Sequence, residues 1–156
     1  RAAYPRATEG YDAEGNLLFK VISIWVIMDM TTRAMILPGK SGVDVAGTAT
    51  GTELKAPAGL AAMEGENSSN RTVCFSDLDV NGHMNNTNYP DMLFNALPSP
   101  ESKLVKSIAI SYQNDAKAGN YLKLYMGKTD GKYYMRTIHE DGRVNVEAEI
   151  IVENLG

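Results

Sequence analysis

The hydrophobic and polar positions fall into two patterned stretches separated by one with no pattern. Residues 17–28 are apolar on both sides of a period of two. Phe19, Val21, Trp25 and Ile27 share one side; Leu18, Ile22, Ile24, Val26 and Met28 share the other. Such a run predicts a strand covered on both faces. The turn cluster Asp12-Ala13-Glu14-Gly15-Asn16 precedes it, so residues 1–11 are expected to be its antiparallel partner. A short third strand is predicted over 32–37, stopped by Pro38-Gly39.

Residues 40–70 are rich in Gly, Ala, Thr and Ser and keep no steady period. They predict a linker between two structural units, with a short helical turn near 60–64. Beyond Asn70 the pattern sharpens. Residues 71–75 read as a strand. Tyr89, Met92, Leu93, Ala96 and Leu97 recur at i, i+3, i+4, i+7 and i+8, which predicts an amphipathic helix over 89–97. Asn88 is its expected N-cap, Pro90 suits the first turn, Asp91 offers a weak capping box, and Pro98 and Pro100 end it.

Four strands are expected after the helix. The first three cover 103–112, 121–128 and 132–138. In the last, Val144, Val146, Ala148, Ile150 and Val152 alternate with Asn145, Glu147 and Glu149, which predicts one wet face. Asp130-Gly131 and Glu140-Asp141-Gly142 supply turns. The second unit is therefore strand, loop, one helix and a four-stranded antiparallel meander. To hide both apolar faces, the sheet must wrap the helix.

Composition narrows the function. A 44% apolar content supports a folded core, and the net charge of −4 argues against a nucleic-acid-binding surface. The single cysteine, Cys74, excludes an intramolecular disulfide and fits a reducing, cytoplasmic setting. Its place on the strand before the loop makes it a core residue. No apolar run is long enough to span a bilayer. Two histidines and one cysteine offer no metal-ligand spacing, and no Gly-rich phosphate loop is present.

The chemistry concentrates in Asp77-Leu78-Asp79-Val80-Asn81-Gly82-His83-Met84-Asn85-Asn86. Polar groups between two core-forming elements suit an active-site loop on a rigid scaffold. Gly82 lets the backbone turn before His83. His83 is the candidate acid or base, because imidazole titrates near neutrality. Asp79 and Asn81 stand ready to orient a water or a carbonyl beside it. The competing reading is a polar turn that caps a helix. By spacing alone the polar turn is at least as good a reading.

Residues 77–89 resemble the second repeat of the acyl-ACP thioesterases, in the form "SDLDxNGHxNNxxY". Ser23-Ile24-Trp25-Val26-Ile27-Met28-Asp29-Met30-Thr31-Thr32-Arg33 is similar to that family's "SxWVLMDxxTR" stretch, and residues 108–115 to its strand ending in "YxxE". These matches run in family order across nearly the whole chain. The resemblance implies an α+β hotdog fold, an antiparallel sheet wrapped around a central helix, built as two repeats. Residues 1–39 would be the closing strands of a truncated first repeat, 40–70 the linker, and 71–156 a complete second repeat with the catalytic loop. Roughly half a domain would then precede Arg1.

The resemblance also implies a reaction: hydrolysis of a fatty acyl thioester of acyl carrier protein by an activated water, with no metal or cofactor. The family's catalytic Asp, Asn and His fall on Asp79, Asn81 and His83. Its Glu falls on Asp115, one methylene shorter, and the cysteine once proposed as nucleophile falls on Ala116. Carrier protein would be the partner. A second copy of the chain, as a homodimer, is one way to cover the two-faced strand 17–28. Two other functions stay open: an acyl-CoA thioesterase of the wider hotdog group with Asp79 as base, and a hotdog that binds acyl chains without cleaving them.

Each residue also has a plainer role. Asp79 suits a turn, Asn81 a left-handed turn conformation, and Asp115 an ordinary loop before Lys117-Ala118-Gly119. Asp77 is expected to cap loop backbone and His139 to sit in a solvated turn beside Glu140-Asp141-Gly142. Trp25 and Met28 read as core before acyl-tunnel lining. Arg33 reads as a surface cation before a carrier-protein contact.

Overall fold

The computed structural model describes residues 4–32, 34–37, 39–42 and 65–155. The helical turn expected near 60–64, the strand stop at Pro38, the cation Arg33 and most of the expected linker lie outside them. The chain divides into two compact units, residues 1–58 and 59–156.

In the first unit, β1 (Tyr4–Tyr11) and β2 (Leu17–Trp25) form an antiparallel ribbon with Tyr4 opposite Trp25. Asp12 closes the turn between them, its carboxylate accepting the backbone and side-chain amides of Asn16. The expected continuous strand 17–28 is broken at Val26. Ile27–Met28 (β3) leaves the ribbon to pair with Met35–Ile36 (β4), about a turn in which Asp29 accepts the amides of Thr31 and Thr32. Among the described residues the cover expected on both faces is not supplied: Leu18, Phe19 and Trp25 are each more than half exposed. A ribbon of two strands has no second layer of its own to bury them.

Among its described residues the second unit is an α+β layer of one sheet and one α-helix. Its strands are β5 (Glu66–Thr72), β6 (Lys103–Tyr112), β7 (Tyr121–Thr129), β8 (Lys132–His139) and β9 (Val144–Asn154). They lie in the order β5-β7-β8-β9-β6, every pair antiparallel. The four-stranded meander is thus corrected to three strands, with β6 joined to the far side of β9. The turn chemistry explains this. Asp130 (φ 49°) and Gly131 (φ 76°) make a tight turn between β7 and β8, whereas residues 113–120 separate β6 from β7 and need not pair them.

β5 begins inside the expected linker and ends before Val73. Its sequence, Glu-Asn-Ser-Ser-Asn-Arg-Thr, is polar because it is an edge strand paired with β7 alone. Helix α1 (Asn88–Asn95) lies on the inner face of the sheet. Its buried residues Tyr89, Met92 and Leu93 share one core with Leu122, Leu124, Met135, Val146 and Ile150 of the sheet. The i, i+3, i+4 stripe therefore buries the face that periodicity predicts.

The N-cap is Thr87, not Asn88. Asn85 Oδ1 accepts the backbone amide and the hydroxyl of Thr87, and the side-chain amide of Asn88 donates to the carbonyl of Asp77 at 2.9 Å.

Candidate active site

The loop between β5 and α1 is built from short-range hydrogen bonds. Cys74 starts a single 3-10 turn, Phe75–Asp77, and Asp77 accepts the Cys74 amide at 2.8 Å. The carboxylate of Asp77 also pairs with Arg71 on β5. Burial pushes this carboxyl up, but Arg71 and the Cys74 amide outweigh burial and hold it below the ordinary carboxylate value. Asp77 is thus a cap on loop backbone, as expected. Cys74 is corrected: it is exposed, because β5 ends at Thr72 and the chain has already turned out of the sheet.

The next turn is closed by an antiparallel bridge from Leu78 to Met84 and by the Asp79 amide donating to the His83 carbonyl at 2.7 Å. Within it, Asp79 Oδ1 accepts the amides of Asn81 (2.8 Å) and His83 (3.2 Å), and Asn81 Nδ2 donates to Asp79 Oδ2 at 3.3 Å. The Asn81 amide is the main cause holding the Asp79 carboxyl below its usual value; partial burial opposes it, and the His83 amide adds to it. Asp79 therefore fixes the loop through backbone rather than through the imidazole ring. Gly82, at φ 74°, takes the left-handed position. Asn81 does not, so that plainer role for it is corrected.

His83 meets Asp115. The imidazole Nε2 lies 2.8 Å from Asp115 Oδ2, with the His83 side chain 22% exposed and that of Asp115 49%. The backbone enforces this meeting one residue further along each segment, where the Met84 amide donates to the Ala116 carbonyl at 2.7 Å. Met84 and Ala116 are both buried. Two segments some thirty residues apart in the chain are thereby laid side by side, and their neighbouring polar side chains reach the surface together.

Behind this pair lies a polar cluster that the pattern did not reveal. Asn145 is completely buried, although alternation placed it on the wet face with Glu147 and Glu149. The register between β8 and β9 shifts here: Thr137 faces Val146 and Ile138 faces Val144, so Asn145 is the extra residue of a bulge and turns inward. Its Nδ2 donates to the carbonyl of Asn114 and to Tyr89 Oη (3.0 Å), and its Oδ1 accepts from Thr137 Oγ1 (2.8 Å). Burial raises the Tyr89 hydroxyl pKa; the Asn145 bond lowers it, and the charge of Asp115 adds to the rise. Tyr112 packs edge-on against Tyr89 and donates to the Asn86 carbonyl at 3.0 Å.

His139 is also corrected. It is buried on the inner face of β8, with Nε2 unpartnered among the described residues. The β8 alternation extends one residue past its expected end and carries the ring inward. Among the described residues no three His, Cys, Asp or Glu side chains are grouped to hold a metal ion, and no helix is long and apolar enough to cross a membrane.

An antiparallel sheet carrying one central helix, with the loop before that helix set against the loop after β6, is an α+β domain of hotdog type. The family model described as the acyl-ACP thioesterase C-terminal domain matches residues 60–154, and the chain belongs to that family. Among the solved structures that resemble nearly all of the chain are two thioesterases. One is an acyl-ACP thioesterase from Bacteroides thetaiotaomicron (TM-score 0.84, 20% identity, covering 98% of this chain and 64% of that one). The other is a 12:0-ACP thioesterase from Umbellularia californica (TM-score 0.74, 21% identity, covering 98% and 62%). At these identities the likeness establishes the fold. The chain spans less than two thirds of the length of either relative. No curated protein sequence matches it.

Proposed function

We propose that this chain carries the catalytic half of a thioesterase that hydrolyses fatty acyl-ACP to a free fatty acid and the carrier protein. The observation that carries the reading is the 2.8 Å contact between His83 Nε2 and Asp115 Oδ2 in a chain of the acyl-ACP thioesterase family. In this reading residues 1–39 close a first hotdog repeat, a linker follows, and the second repeat holds the chemistry. Two repeats, or two copies of the chain as a homodimer, would cover the apolar ribbon. The acidic carrier is the partner. The lone cysteine suits the cytoplasm or another reducing compartment.

The chemistry needs an attacking water and a stabilised oxyanion; a thiolate leaves readily. His83 takes a proton from the water as its oxygen bonds to the thioester carbonyl carbon. Asp115 stabilises the imidazolium that results. The tetrahedral intermediate collapses, the carbon–sulfur bond breaks, and the imidazolium returns the proton to the departing thiolate. Asp79 keeps the loop in the conformation that aims His83. Asn81 supplies the oxyanion contact with its free amide proton, since Asn85 takes up the amides of Thr87 and Asn88. Water attack suits a site where Ala116 stands at the position of the proposed nucleophile and the one cysteine of the sequence, Cys74, precedes the loop and contacts the Thr72 carbonyl.

The test is hydrolysis by the full-length protein of matched acyl-ACP and acyl-CoA substrates. A higher kcat/KM for the carrier-protein thioester supports the reading. Preference for CoA would make it an acyl-CoA thioesterase. Tight acyl binding without turnover would make it a binding protein.

A further inference from the structure

We infer that Asn145 is a positioning residue that sets Asp115 against His83, an inference that rests on the proposed hydrolysis at that pair. Asp115 does not stand on a strand. It lies in the connection between β6 and β7, outside the ladder of either strand. Asn145 supplies what is missing. Its carbonyl accepts the amides of Gln113 (2.9 Å) and Asn114 (3.2 Å), and its Nδ2 donates to the Asn114 carbonyl. The Asn114 side chain in turn donates to the Val144 carbonyl. Asn114 is therefore held to β9 by its amide, its carbonyl and its side chain. On the other flank, the Ala116 carbonyl is held by Met84. Asp115 is clamped between two fixed residues while half its carboxylate remains open to solvent.

Two features argue that this clamp serves the site rather than the strand. The bulge interrupts an otherwise regular ladder to bring one asparagine inside, and bulges that re-aim a side chain gather at functional sites. The second feature is that every polar atom of the Asn145 side chain is used. Thr137 fixes Oδ1, while the two Nδ2 protons go to the Asp115 loop and to Tyr89, at the start of α1. The same amide thus joins the helix that follows the His83 loop to the segment that carries Asp115. A displacement of about 1 Å between catalytic groups is enough to cost on the order of a hundredfold in rate.

The experiment uses the full-length protein. Asn145→Ala is expected to lower kcat roughly tenfold to a hundredfold with KM within about twofold. In an Asp115→Ala background it should cost nothing further, because the group it positions is gone. A crystal structure of Asn145→Ala should show the His83–Asp115 contact opened well beyond hydrogen-bond distance. If Asn145→Ala does not fold, Thr137→Val weakens the same clamp and should lower kcat several-fold, with Thr137→Ser restoring it. An unchanged kcat, losses that multiply with those of Asp115→Ala, or a contact still at its native length would each overturn the inference. Full activity in Asp115→Ala alone would instead overturn the proposed reaction, and the distance in the variant crystal would still decide whether Asn145 positions Asp115.

Discussion

His83 and Asp115 meet at 2.8 Å although each belongs to a different loop, because the residues that follow them, Met84 and Ala116, share a backbone hydrogen bond of 2.7 Å in the buried layer beneath. The polar pair is thus the exposed end of a contact that begins in the core. Local backbone chemistry aims each partner: Asp79 and Gly82 shape one loop, and Asn114 and Asn145 hold the other.

The aspartate at position 115 raises a question of reach, since the family's residue is one methylene longer. Asp115 already reaches the imidazole. Its half-exposed carboxylate leaves room for a longer chain to bend. Asp115→Glu should therefore keep kcat within about threefold, whereas Asp115→Asn, which keeps shape and removes charge, should lower it at least about tenfold. Steady-state hydrolysis by both variants checks this.

Asp77 makes an acid-sensitive contribution to stability. Its carboxyl titrates lower in the folded chain than when free, through Arg71 and the Cys74 amide. The contribution is therefore fully present above the ordinary carboxylate value of 3.8 and is lost as pH falls below it through the folded-state value. Asp77→Asn should cost about 1–3 kcal/mol at pH 7. That difference from the parent protein should shrink toward zero as unfolding is measured at successively lower pH below about 4. A cost that stays constant down to pH 2 would show that Asp77 acts by shape alone.

Cys74 is exposed, and its Sγ lies 3.7 Å from the Thr72 carbonyl. In the folded protein it should react with one equivalent of a thiol reagent. Cys74→Ser should leave kcat within about twofold, since the thiol takes no part in water attack. Slow labelling, matching the unfolding rate, would restore the buried placement that strand periodicity suggests.

The limits of the sequence pattern are physical. The strands β6 to β9 and the buried face of α1 were legible because each buries one regular side: Leu122 and Leu124, Val146 and Ile150, Tyr89 and Leu93. The His83 loop and Asp115 were legible through resemblance, and their contact required the fold. Only the end of β5 was legible, through the strand expected over 71–75; its start was hidden because an edge strand needs no apolar alternation. Asn145 and His139 were misplaced because alternation assumes a regular ladder, and one bulge turns Asn145 inward while one more residue of β8 buries His139. The ribbon of β1 and β2 was legible as paired strands, but what covers its apolar residues was not, because apolar periodicity reports which residues seek cover, not what covers them.

The proposed hydrolysis stands or falls on His83 as the base. The direct measurement is single-turnover hydrolysis of acyl-ACP by the full-length protein carrying His83→Ala, with folding verified by its thermal unfolding. A loss of about 10²- to 10⁴-fold, the scale for removing a general base, is the predicted result. A single-turnover rate equal to that of the parent protein would contradict it.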